Sequence, residues 1–168
     1  MSACTATQVL SDRGFENGNS VTPWVETSQS GSLPITKAGG QSPHGGSWMA
    51  RFNGNGTNKG KSTLAQTVTI PSGCDATVSF WLHIDSTENT KTAKPDTFTV
   101  QPLNSSGTVL TTLATFSNLD AAAGYTQHSY DISSYAGQAV TLKFTGTEKD
   151  SKGGTTTFVE DDNAIRTS

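Results

Sequence analysis

Ala76-Thr77-Val78-Ser79-Phe80-Trp81-Leu82-His83-Ile84-Asp85 alternates without interruption. Val78, Phe80, Leu82 and Ile84 fall on one side of a period-two ribbon, and Thr77, Ser79, Trp81 and His83 fall on the other. The first set predicts a core face. The second places an indole and an imidazole on the polar side of a strand, where loops cover them or a ligand meets them.

The same short-strand grammar runs outward in both directions. The 168 residues include 17 Gly, abundant Thr and Ser and only 15% charged residues, and no long stretch carries a helical apolar period. Strands are predicted at 7–10, 21–27, 33–37, 47–52, 63–70 and 76–85, then at 97–103, 108–116, 126–132, 139–146 and 156–165. Asn104-Ser105-Ser106-Gly107 is a hairpin turn, and Ser134-Tyr135-Ala136-Gly137-Gln138 closes another reversal. Trp48, Ala50 and Phe52 are expected in the core, opposite Ser47, Met49 and Arg51. Trp24 after Pro23 and the stripe Val140, Leu142, Phe144 are expected in the core too, with His128, Tyr130 and Ile132 as a further stripe. Polar loops are expected at 39–46, 53–61, 86–96 and 148–154; the third is long for a compact domain, and such loops are usually functional or mobile. The pattern predicts an all-β chain, a jelly-roll β-sandwich of two antiparallel sheets, as one domain over 1–168. A domain of this size buries roughly 70% of its unfolded surface. No repeat of fixed period suggests a propeller or solenoid.

Net charge is −3 and the few Lys and Arg are scattered singly, so nothing suggests nucleic acid or anionic lipid as a partner. No apolar run approaches the roughly 20 residues that span a bilayer. Met1-Ser2-Ala3 has neither a charged nor an apolar leader region. Two cysteines, Cys4 and Cys74, raise the question of secretion. A bridge between them would tie a loose N-terminal arm to the turn before the central strand; the alternative is two unrelated free thiols.

Gly14-Phe15-Glu16-Asn17-Gly18 with Pro23-Trp24, Ser79-Phe80-Trp81-Leu82, Tyr130-Asp131-Ile132-Ser133 with Ala136-Gly137, and Asp161-Asp162 follow one another along the chain. In this order they resemble a jelly roll of the carbohydrate-binding-module type with a galactose-binding-like fold. The resemblance is strongest to accessory modules at the C-terminus of secreted actinobacterial peptidases and glycoside hydrolases. It implies a non-catalytic, extracellular module, fused to a catalytic domain in its parent protein and often stabilised by a structural calcium ion. Carried over by motif, the calcium ligands would be Glu16 and Asp161 or Asp162, with carbonyls near Gly14 and in the 42–47 loop. Two carboxylates, carbonyls and water can supply the six to eight oxygens calcium takes. The other reading is that Glu16 caps a turn and the aspartates face solvent. One departure stands out: Glu160 occupies the position of a buried aliphatic, as a metal ligand, a partner of Arg166 or a plain substitution, and Asn163 replaces another apolar residue.

Catalysis finds little support. No Gly-x-Ser-x-Gly elbow is present, and the acids cluster in turns and loops. For sugar binding, the C–H-rich face of a pyranose would stack on Trp81, with His83, Arg51 and Gln101 on the same face supplying polar contacts and Tyr125 as a second platform. In the opposing reading Trp81 packs beneath the 86–96 loop. Two further alternatives are a structural accessory domain of a secreted protease with a protein-facing role, and an ice-binding threonine array, for which Thr67-Val68-Thr69 and Thr155-Thr156-Thr157 are too short and isolated.

Overall fold

The computed structural model describes residues 4–18, 22–37, 40–53, 60–149 and 154–168. Of the loops expected at 53–61 and 148–154, residues 54–59 and 150–153 lie outside the described residues, as do Val21 and Gly39, while Asn53, Gly60, Lys61 and Glu148 belong to strands. Eleven described strands build two antiparallel sheets. Sheet one contains β3 (Ile35–Thr36), β4 (Met49–Asn53), β11 (Thr156–Thr167), β6 (Ala76–Ser86) and β9 (Thr126–Asp131) in that order. The short β1 (Thr7–Gln8) pairs with the far end of β11. Sheet two runs β2 (Val25–Ser28), β5 (Gly60–Thr69), β10 (Ala139–Glu148), β7 (Thr97–Leu103) and β8 (Ala114–Ser117). The expected strand at 108–116 is shorter than its apolar pattern suggested: only 114–117 joins the ladder, with a single bridge from Val109 to Leu103 before it. Among the described residues no helix is long and apolar enough to cross a membrane.

The core is an aromatic layer between the sheets. Phe98 of sheet two stacks on Phe158 at 5.4 Å and meets Phe52 edge-on at 5.0 Å, both in sheet one. Phe80 reaches across to Phe144 at 5.5 Å. All five rings are fully buried, each contributing on the order of 1.5–3 kcal/mol by removal from water. Val78, Phe80, Leu82 and Ile84 form the inner face of β6, as their alternation predicts. Trp24 is buried against Phe15, whereas Trp48 is only half-buried, with the Lys37 ammonium 5.5 Å from its ring.

The outer faces of the two sheets differ. On sheet two, register places Thr27, Thr63, Thr145, Thr99 and Thr115 in one row across all five strands. None of these belongs to Thr67-Val68-Thr69 or Thr155-Thr156-Thr157, the short runs weighed from the sequence. The strands of such a sheet rotate by roughly 20–25° each, so the row winds with the sheet instead of lying on a flat lattice. On sheet one, Met49, expected on a polar face, is fully buried, as are Val159 and Asp161. The segment 40–47 folds over part of this face, against Trp81, Asp85 and Asp161.

Candidate ligand-binding cleft and carboxylate cradle

Trp81, His83 and Asp85 project from successive outward positions of β6. The segment 40–47 is fastened over them at three points. Gln41 Nε2 donates to Asp85 Oδ2 at 3.3 Å, the Tyr125 hydroxyl donates to the Ser42 carbonyl at 2.7 Å, and the His44 ring stacks on Trp81 at 4.2 Å and 15°. Trp81 is therefore covered by His44 of this segment. Tyr125, just before β9, is the hub: its ring meets His83 at 5.4 Å and His44 at 5.3 Å. Burial, reinforced by the charges of Asp161, Glu160 and Asp162, raises its phenol above the ordinary value and keeps it a donor.

Beside this hub opens a cleft of about 750 Å³, lined by Gln41, Ser42, His83, Asp85, Ala122 and Tyr125 among others. Its size is that of a small-ligand site. Ala122 is held at its wall by an N–H donated to the Ile84 carbonyl. Of the five residues expected to contact ligand, the fold brings His83 and Tyr125 into the cleft and seats Trp81 beside it, under His44. Arg51 lies on β4, with Val159 of β11 between it and His83. Gln101 lies on the outer face of the other sheet, paired with Lys143, its amide donating to the Thr112 hydroxyl at 2.9 Å. The expected common face for Gln101 and Trp81 is therefore corrected: period two assigns a side of a strand but not the sheet it joins. Sequence reasoning missed Asp85 and Gln41. Asp85 continues the Trp81, His83 stripe by one more step and was within reach of that periodicity; Gln41 lies in a segment without one.

A second cluster forms where β11 changes neighbours. β4 pairs with its first half and β1 with its end, and between them a bulge at 161–164 shifts the register against β6. The exposed backbone there is filled by the N-terminal segment, Asn163 N–H donating to the Arg13 carbonyl at 3.0 Å. Asp162 takes φ +50°, in the left-handed region. Asp161 Oδ2 accepts from Gly45 N–H at 3.0 Å and its Oδ1 from Asp162 N–H at 2.8 Å. Asp162 Oδ2 meets His44 Nδ1 at 2.5 Å. Glu16 Oε1 accepts from Ser47 and Trp48 N–H at 2.8 and 3.0 Å. The backbone runs close to these groups: a Cβ on Gly45 would lie 2.8 Å from Asp162 Oδ2, and one on Gly14 3.3 Å from Asp162 Oδ1, so the Asp162 carboxylate would have to shift to admit either. Burial first, then the neighbouring Asp162 charge, pushes Asp161 up to about 6 despite these N–H donors. Among the described residues no three acids, histidines or cysteines converge closely enough to hold a metal ion.

Glu160 points inward, opposite Leu82 and Ala50. It is fully buried, neither carboxyl oxygen makes a hydrogen bond, and burial raises it well above the carboxylate range, with Asn163's side chain partly offsetting the effect. Arg166 is six residues along the same strand and exposed, so it is not Glu160's partner. Cys4 and Cys74 form a disulfide, Cα atoms 5.0 Å apart.

No family model and no curated protein matches this chain. Solved structures do. TmCBM61, determined in complex with β-1,4-galactotriose, aligns over 95% of this chain and 97% of its own, with TM-score 0.67 and 17% identity. The K3 adhesin domain of Lys-gingipain from Porphyromonas gingivalis aligns over 95% and 98%, at TM-score 0.61 and 14% identity. The CBM22-1 xylan-binding domain of Paenibacillus barcinonensis Xyn10C aligns over 99% and 97%, at TM-score 0.54 and 15% identity. At these identities the likeness establishes the fold: this chain has the β-sandwich seen in carbohydrate-binding modules.

Proposed function

We propose that this domain is a non-catalytic carbohydrate-binding module whose ligand occupies the cleft between the 40–47 segment and Tyr125. The carrying observation is the cleft itself, where the rings of His83 and Tyr125 stand beside the polar ends of Gln41, Ser42 and Asp85. Rings accept the C–H face of a sugar while amide and carboxylate take its hydroxyls, and the sandwich shared with solved glycan-binding modules agrees with that use. The site is centred on His83 and Tyr125, with Trp81 anchoring the covering segment through His44. Attached to a secreted hydrolase, such a module raises the local concentration of its catalytic partner near a polymer, so weak affinity suffices.

Calcium is part of the same proposal. Glu16, Asp161 and Asp162 lie near Gly14, Gly45 and Gly46 without converging on one point, so a cation would have to draw these carboxylates together, and two neighbouring aspartates are a charge concentration that it would relieve. Calcium bound there would neutralise that charge and lock the N-terminal segment and the 40–47 loop to the bulge of β11.

Retention on insoluble cellulose, xylan, galactan, chitin and β-glucan tests the binding role. Retention on one polymer, lost in His83→Ala and Tyr125→Ala variants that remain folded, is expected. Absence from all of them would move the assignment to a structural accessory domain facing a protein. Thermal unfolding tests calcium: the midpoint should rise on its addition and fall on chelation, and an unchanged midpoint overturns that part alone.

A further inference from the structure

The chemistry of the cleft limits which glycan fits, a limit that rests on the proposed glycan-binding role of the domain. Among the described residues lining it there is one carboxylate, Asp85, and no lysine or arginine. Asp85 is exposed and its Oδ2 takes one long hydrogen bond from Gln41, so capacity remains for a donor from a ligand. His83 and Tyr125 line the same cleft, their rings 5.4 Å apart, the phenol held neutral by burial and by the acidic cluster of Asp161, Glu160 and Asp162. The chain as a whole carries net charge −3. A carboxylate in a cleft with aromatic faces, with no lysine or arginine among the described lining, attracts a cation and repels an anion.

We propose that the cleft selects glycans by charge: it takes sugars with a free, protonated amino group, of the glucosamine type, and turns away uronates and sulfated chains. The ammonium lies against Asp85 and the rings of His83 and Tyr125, and the remaining hydroxyls bond Gln41 and Ser42. Calcium in the cradle weakens the field from Asp161 and Asp162 but leaves Asp85, which stands in the cleft itself.

Calorimetric titration of the calcium-loaded domain at one mildly acidic pH, with glucosamine, N-acetylglucosamine and galacturonate oligomers of equal length, decides the matter. The amine-bearing oligomer should bind about tenfold more tightly than its N-acetylated counterpart, and the galacturonate oligomer should not bind. That ratio should fall towards one in Asp85→Asn and in high salt. Equal affinity for the amine and its acetylated form, or preference for galacturonate, overturns charge selection while leaving glycan binding intact. Failure of the folded domain to bind any of these oligomers or any insoluble polymer overturns the glycan-binding role, and charge selection with it.

Discussion

Glu160 shows how one residue can oppose the strand that carries it. The alternation of β11 places it between core side chains of β6 and β4, where an apolar group would be expected, and its carboxyl is buried without a hydrogen bond. A polar group buried in this way costs roughly 1–3 kcal/mol. Glu160→Leu should therefore raise the urea midpoint, by about 1–3 kcal/mol in stability, with an unchanged slope. A loss of stability instead would mean that the carboxyl supports the neighbouring bulge. Asp96, at the start of β7, offers a pH test. Burial, with Glu88 beside it, pushes it up from 3.8 to about 6, against the opposing hydrogen bonds from Thr156 and Lys149 N–H. Its folded value lies above its unfolded one, so the folded state holds the extra proton between them. The penalty is absent below pH 3.8, grows through that window and is complete above about 6. Asp96→Asn should thus exceed the parent by about 2 kcal/mol at neutral pH, the gap closing as pH falls to about 4. Parallel stability curves would assign the slope to other groups.

β10 shows what an element owes to its neighbours. Gly146 sits on its inner face, and a Cβ there would lie 2.6 Å from the Phe52 Cβ and 3.3 Å from its ring. The missing side chain lets the two sheets approach where Phe52 packs on Phe98. Gly146→Ala should cost about 1–3 kcal/mol, read as a lower urea midpoint, because the sheets must separate locally or Phe52 leave its rotamer. A neutral result would show slack in the layer. β11 carries a different burden. It joins β6 along its whole length but changes edge partner from β4 to β1, and the bulge at that change turns Asp161 and Asp162 towards the covering segment. The Asp161-Asp162 pair and Glu16 were readable as a possible constellation from their motifs; the bulge that turns the two aspartates towards the covering segment depends on strands more than a hundred residues apart in sequence.

For the whole molecule, the disulfide ties the N-terminal arm to the turn before β6 across a separation of 70 residues. Removing it in a Cys4→Ala, Cys74→Ala variant should lower the thermal midpoint, by up to about 4 kcal/mol in the chain-entropy treatment. A midpoint that does not move would mean that β1 and its neighbours hold the arm unaided. The sequence alone determined the all-β class, the inner face of β6, the outward face that carries Trp81 and His83, and the pairing of two cysteines as one of two options, because these follow from local periodicity and residue chemistry. It could not decide which sheet each outer face belongs to, so Gln101 was grouped with Trp81, whereas Arg51 does share the outer face of sheet one with Trp81 and His83; it could not foresee that segment 40–47 covers Trp81, that Met49 is buried, or that five threonines align in a row. Those features come from non-local strand register and from a loop without periodicity, and only the tertiary structure sets them, because a strand's alternation specifies its two sides but not its partners.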